Sequence, residues 1–393
     1  MTREGVRKEY ALARVLIEEF PHRPGGHCSS TALRDLLWFY GHDLTEEMVF
    51  GLGAGIGFIY FHHPDMKPPV YIGGRVFNLE EHLCKHLGIG MEVVSGMGAD
   101  DGWLAVKEML DQGVPTMVHA DVYHLDYLRA KRHFGGHRIV LVGYDEEREV
   151  AFVADNDRDS ICECSLASLA RARSAAFLPQ PADNTFYRFG VPERLTPLSR
   201  AIPPAVARAV RFNLRLPPQN PPSQPSPQDP PHPNLPPRGG KGQRGEGAER
   251  ASFNCDGAEV VRGVQGLERF ALAMGGWPDE MDEDTLSLLC KSIYVSAEKG
   301  GTGYGGNFRR LYGRFLNESA GVLSSPGLGR AGDEFIAIGD TWTSLSLTFK
   351  DLSSDGRRAV LLAEPIAREI SGREHDAFTA LESVSDSELQ GKS

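Results

Sequence analysis

The chain has 393 residues, enough for two or three domains with real cores. Its 42 Lys and Arg against 53 Asp and Glu leave a formal charge of −11, which argues against nucleic-acid binding as the main role. The six cysteines (28, 84, 162, 164, 255 and 290) are scattered, the N-terminus "MTREGVRKEYALARVLIEEF" has no apolar signal core, and no run is long enough for a membrane span. Together these features predict a reduced, cytoplasmic protein without a membrane partner.

The first informative stretch is "PGGHCSSTALRDLLWFYG" (24–41). Leu33, Leu36, Leu37 and Tyr40 recur at helical spacing and Gly41 is a natural stop. Cys28 falls at or just before the first turn, where free N–H groups and the helix dipole favour a thiolate. A buried cysteine acting as a small hydrophobe is the alternative. An apolar, glycine-dense stretch follows at 49–61, then predicted helices over 78–88 and 101–113. Strands are predicted over 114–123, 138–145 and 149–157, the last two joined as a hairpin by the polar turn "DEERE".

Residues 1–192 thus read as one mixed unit of helices and strands. Residues 193–256 are proline-rich, then glycine-rich and basic, and predict a largely disordered linker or insertion. Helical periodicity dominates 257–375, an expected all-α domain, and the polar stretch 376–393 reads as a frayed tail.

A nucleophilic cysteine needs a base, and the base needs a group to hold it. His137 begins one predicted hairpin strand and Asp155 ends the other, so antiparallel pairing sets them side by side. A carboxylate there fixes the imidazole tautomer. Asn156 is the alternative orienter.

Other signals weigh less. Gly51, Gly53, Gly55 and Gly57 alternate without forming a dinucleotide fingerprint and read as close backbone packing. His82 and His86 flank Cys84 at zinc-like spacing but lack further ligands, so a solvated helix face is expected and no metal. Cys162 and Cys164 read as structural cysteines of a strand. Arg129, Lys131 and Arg132, just before His137, would suit an acidic carrier or a phosphate, against the alternative of a solvated loop. "GGTGYGGNFRRLYGRF" opens a helix with Arg309 and Arg310 in its first turn. That is either a phosphate site or an ordinary helix connection.

The order of helix-start cysteine, strand-start histidine and strand-end aspartate resembles the papain-like cysteine fold, particularly the bacterial double-glycine leader peptidases. "GGHCSSTALRDLL", "EEMVFGLGAGIGFIY" and "FGGHRIVLVGYDEEREVAFVAD" are most similar to the N-terminal domain of the butirosin biosynthesis protein H family. The segment 300–320 resembles the helical domain that commonly follows it. The resemblance implies an α+β chain, with a papain-like domain and a C-terminal all-α domain. It also implies a cysteine-dependent acyltransferase of secondary metabolism that moves an acyl group from a carrier-protein thioester to a small amine. Cys28 would be the nucleophile, His137 the base and Asp155 the orienter. No cofactor of its own is expected, the acyl group riding on the carrier's phosphopantetheine. His22 stands where leader peptidases place an oxyanion-hole glutamine, a departure from that pattern. An imidazole N–H would serve there together with the backbone N–H of Cys28. A cysteine hydrolase or peptidase on the same fold, and a non-catalytic carrier-protein or peptide binding module, are the alternative functions.

Overall fold

The computed structural model describes residues 13–177, 181–214, 258–299 and 305–387. Most of the expected linker and glycines 300, 301 and 303 of the glycine loop lie outside them. In chain order the elements begin with β1 (Arg14–Leu16), α1 (Cys28–Phe39), α2 (Glu46–Leu52), β2 (Ile56–His62), β3 (Val70–Arg75), α3 (Leu79–Leu87) and β4 (Gly90–Val94). They continue with α4 (Ala99–Asp111), β5 (Thr116–Ala120), β6 (His137–Asp145), β7 (Val150–Ala154), β8 (Cys162–Ser165), α5 (Leu166–Arg173), β9 (Phe186–Gly190) and α6 (Leu198–Leu214). After the undescribed stretch come β10 (Glu259–Arg262), α7 (Gly263–Met274), α8 (Trp277–Glu280), α9 (Glu283–Tyr294), α10 (Arg309–Leu323), α11 (Pro326–Asp351) and α12 (Gly356–Ser387).

Two compact units result. One comprises the described residues up to Arg23 and those from Val93 to Arg188, and the other Pro24–Glu92 with the described residues from Phe189 onward. The first unit is organised by a sheet of order β4-β9-β5-β6-β7-β8, with β1 also pairing β6. All nine residues of β6 are buried, as befits a central strand. Val106, Leu110, Val118, Ile139, Leu141, Val153 and Phe186 fill the core on this sheet. The β6–β7 hairpin forms as expected from the two apolar runs joined by a polar turn, pairing Asp145 with Val150 and Val140 with Ala154 around one irregularity.

In the second unit a three-stranded sheet, β10-β2-β3, packs with α6, α7 and α9, and α12 packs on α7. Phe58, Phe270 and Trp342 stack at its centre. Gly51 is required here, because a Cβ at this position would lie 1.9 Å from the Phe315 ring. The "GLGAGIGF" glycines are thus places of close packing.

The α+β class holds, with a sheet-rich N-terminal part and a helical C-terminal region. Three details differ from expectation. Residues 198–214 of the expected linker form α6, because Ala201, Ile202, Ala205, Val206, Ala209 and Val210 make a buried stripe despite Pro203 and Pro204. The expected frayed tail from 376 is helical to Ser387, with Ala377, Phe378 and Leu381 buried. The expected all-α region begins with a strand, β10, and shares its compact unit with the Cys28 helix, so compactness does not follow the chain-order domains. Among the described residues, no helix is long and apolar enough to cross a membrane.

Candidate active site

Cys28 is the first residue of α1 and is buried, with His27 as the N-cap. The turn before it is shaped by Glu46 of α2. Its carboxylate accepts from the backbone N–H groups of Gly26 and His27 at 2.8 Å, and from the hydroxyls of Ser30 and Thr31. Burial pushes the Glu46 carboxyl above its ordinary pKa, against the opposing pull of those hydrogen bonds and of Arg34. Gly25 makes room for this carboxylate, since a Cβ there would lie 2.5 Å from Glu46 Oε2. The "PGGHC" loop is therefore held from inside by one buried acid.

Arg75, at the end of β3, stands beside the thiol. Its Nη1 donates to His27 Nε2 at 2.6 Å and to Cys28 Sγ at 3.9 Å. A guanidinium has only donors, so His27 Nε2 accepts from it, while Nδ1 faces the Ser30 backbone N–H at 3.2 Å. Nδ1 lies 3.2 Å from Ser30 Oγ, which in turn donates to Glu46. A chain of hydrogen bonds thus runs from Arg75 through His27 and Ser30 to Glu46, with the nucleophile candidate beside its cationic end. The His27 ring is also packed edge-on by Phe50 and Phe308. Phe308 and Asn307 both have left-handed backbone, at φ 67° and 51°. Such conformations cost about 1–3 kcal/mol each and persist only where packing fixes them.

In the other unit, His137 opens β6 and Asp155 follows β7. His137 Nε2 lies 2.9 Å from both Asp155 carboxylate oxygens, and both residues are buried. Tyr127 Oη donates to Asp155 Oδ2 at 2.7 Å. Burial alone would raise the Asp155 pKa. The His137 charge and the hydrogen bonds from His137, Tyr127 and the Asp157 backbone outweigh it and hold the carboxyl below its ordinary range. The same carboxylate, together with burial, pushes the Tyr127 hydroxyl well up. An ionised Asp155 requires the proton on His137 Nε2, which makes Nδ1 the basic nitrogen of the ring.

The remaining expected residues fall in varied places. Asn156 is buried next to Asp155. His22 Nε2 lies 2.9 Å from the Arg158 carbonyl, to which it must donate. That N–H is therefore committed to the carbonyl instead of being presented to an oxyanion. Arg129, Lys131 and Arg132 are exposed on the loop before β6. Arg309 has no exposed surface. It pairs with Glu374 at 2.7 Å and donates to the carbonyls of Gly74 and Asn307, so it is a core residue and no carrier can reach it. Arg310 is held by Asp340 and Thr343. The expected solvated face of α3 is also corrected: His82 is buried against Asn78, and burial lowers its pKa to about 3. His86 is half-buried against the Leu52 carbonyl.

Sequence reading missed Arg75, Glu46 and Tyr127. The only local signal was for Glu46, an acid in the first turn of a helix whose N-cap is Thr45. Nothing near Arg75 or Tyr127 in the chain marks what they touch.

The family model described as butirosin biosynthesis protein H, N-terminal, matches residues 27–156, a span that begins at His27 and ends just past Asp155. A domain of unknown function, DUF4872, matches residues 167–381, more than half of the chain. No curated protein sequence matches it. The chain therefore belongs to the family of this domain of unknown function, DUF4872, and carries ahead of it, over residues 27–156, a module that matches the butirosin biosynthesis protein H N-terminal family.

Proposed function

We propose that the chain is a cytoplasmic, cysteine-dependent acyltransferase of secondary metabolism that takes an acyl group from a carrier-protein thioester and gives it to an amine. The observation that carries the reading is the His137–Asp155 pair, a buried imidazole whose tautomer is set by a carboxylate kept ionised by its neighbours. Cys28 supports it, placed at a helix start beside the Arg75 guanidinium.

In this reading His137 Nδ1 takes the Cys28 proton and the thiolate attacks the thioester carbonyl. The carbon–sulfur bond to the carrier's phosphopantetheine breaks, and the leaving thiolate takes the proton from the imidazolium. The acyl-enzyme is itself a thioester, so this exchange is nearly level in energy. The amine then attacks the acyl carbon, loses its proton to His137, and releases Cys28. The mechanism requires the His137 imidazole to reach the Cys28 thiol. The exposed cluster Arg129, Lys131 and Arg132 suits an acidic carrier or its phosphate.

Incubation of the protein with an acyl-pantetheine thioester, followed by intact and peptide mass spectrometry, tests the reading. The expected result is one acyl group on Cys28, removed faster by added amine than by water. Faster loss to water than to any amine would make it a hydrolase. Absence of any acyl adduct on Cys28 would leave the binding-module alternative.

A further inference from the structure

Among the described residues, one group of metal-ligating side chains converges outside the site just described, with no part in that chemistry. Asp121 follows β5, His124 closes the 3₁₀ turn Val122–His124, and His133 lies on the loop that leads to β6. Each offers one ligand atom, and these three atoms lie within 4.8 Å of one another. We propose that Asp121, His124 and His133 form a binding site for a divalent transition-metal ion of the zinc class, which clips the base of the loop they bracket.

The donor set suits such an ion. Two imidazoles and one carboxylate make a three-ligand site with a position left for water or another ligand. Tetrahedral zinc with bonds of about 2.0–2.1 Å sets ligand atoms roughly 3.4 Å apart, so side-chain shifts of about 1 Å would seat the ion. The surroundings hold the ligands in place. Asp121 is fully buried, and its Oδ1 accepts from the backbone N–H groups of Phe134 at 2.8 Å and Tyr123 at 3.1 Å. That leaves Oδ2 turned toward His133 Nδ1, 2.6 Å away. The His133 ring is flanked by Tyr123 and Phe177, at centroid distances of 4.1 and 4.3 Å, which restricts its rotation. Such outer supports orient metal ligands and tune their affinity. The Asp121–His133 hydrogen bond explains two members of the group without an ion, but not the convergence of His124.

The placement also suggests a role. Arg129, Lys131 and Arg132 all lie between His124 and His133 in the chain and are exposed. An ion held at the base would close a loop whose arc carries all three cations, and His137 follows four residues after the last ligand. Sequence spacing hid the group, because an aspartate and a histidine three apart, with a second histidine nine further on, match no common ligand pattern.

Titration of the metal-stripped full chain with Co²⁺ and with Zn²⁺ tests the proposal. The expected result is one equivalent of Co²⁺ with a visible absorption band of low coordination number and no thiolate charge-transfer band, displaced by Zn²⁺. His124→Gln, which leaves the Asp121–His133 bond untouched, should weaken binding about 100-fold. Cys162→Ser should leave it unchanged. Zn²⁺ should also protect the loop from trypsin at Arg129, Lys131 and Arg132 in the wild type and not in His124→Gln, with circular dichroism confirming that the variant is folded. The proposal is overturned by no stoichiometric binding up to about 100 μM metal, or by equal affinity in wild type and His124→Gln.

Discussion

His137 Nε2 bonds both carboxylate oxygens of Asp155 at 2.9 Å, and that carboxyl is held below its ordinary pKa. A carboxyl with a depressed folded pKa contributes stability that is present above its unfolded value near 3.9 and is lost as pH falls through the folded value. Asp155→Asn should therefore be less stable than wild type at neutral pH, with the gap closing below about pH 4. Urea melts of both proteins between pH 3 and 7 check this. A gap of constant size across that range would mean that Asp155 is not ionised in the folded state.

Arg75 is the one cation that donates to the Cys28 sulfur among the hydrogen bonds described above, and it lies in the same compact unit as the thiol. Removing its charge should disfavour the thiolate. We predict that Arg75→Met slows alkylation of Cys28 at pH 7 by about 10-fold, and that Arg75→Lys recovers part of the loss. A role confined to packing would make both variants alike.

Glu46 accepts hydrogen bonds from two backbone N–H groups and two hydroxyls in the loop before Cys28. Glu46→Ala strands those donors in a buried place and should cost about 3 kcal/mol of stability, read by chemical denaturation. It should also speed hydrogen exchange at Gly26 and His27 before the global unfolding midpoint is reached.

The Arg309–Glu374 pair is fully buried, and Glu374 Oε1 also accepts from Trp342 Nε1 at 2.8 Å. Breaking it from one side leaves an uncompensated charge. Glu374→Leu should destabilise by about 3–5 kcal/mol, while the double variant Arg309→Met with Glu374→Leu should recover much of that loss in thermal melts.

Parts of this molecule were legible because their signal is local. The β6–β7 hairpin is marked by an apolar run on each side of a polar turn, so the His137–Asp155 pairing followed from strand order alone. The Cys28 helix is marked by its apolar spacing. Other features depend on partners far along the chain. Arg309 was open to reading either as a phosphate contact or as part of a helix connection because its partner, Glu374, is 65 residues away. Tyr127 reaches Asp155 from a loop 28 residues upstream. The helix over 198–214 was hidden by prolines at 203 and 204, which propensity penalises but a buried apolar stripe overrides. Glu46 was passed over because the donors it satisfies come from a loop about 20 residues earlier.

The central claim is that His137 activates Cys28. The most direct test is the pH dependence of iodoacetamide alkylation at each cysteine, read by mass spectrometry, in wild type and His137→Ala. The account predicts that Cys28 reacts far faster than Cys84, Cys164 and Cys290, whose thiols burial pushes well up, that of Cys290 to about 12. It also predicts a Cys28 titration midpoint below the free-thiol value of ~8.5, with both features lost in His137→Ala. A Cys28 no more reactive than those three, or equally reactive without His137, would contradict it.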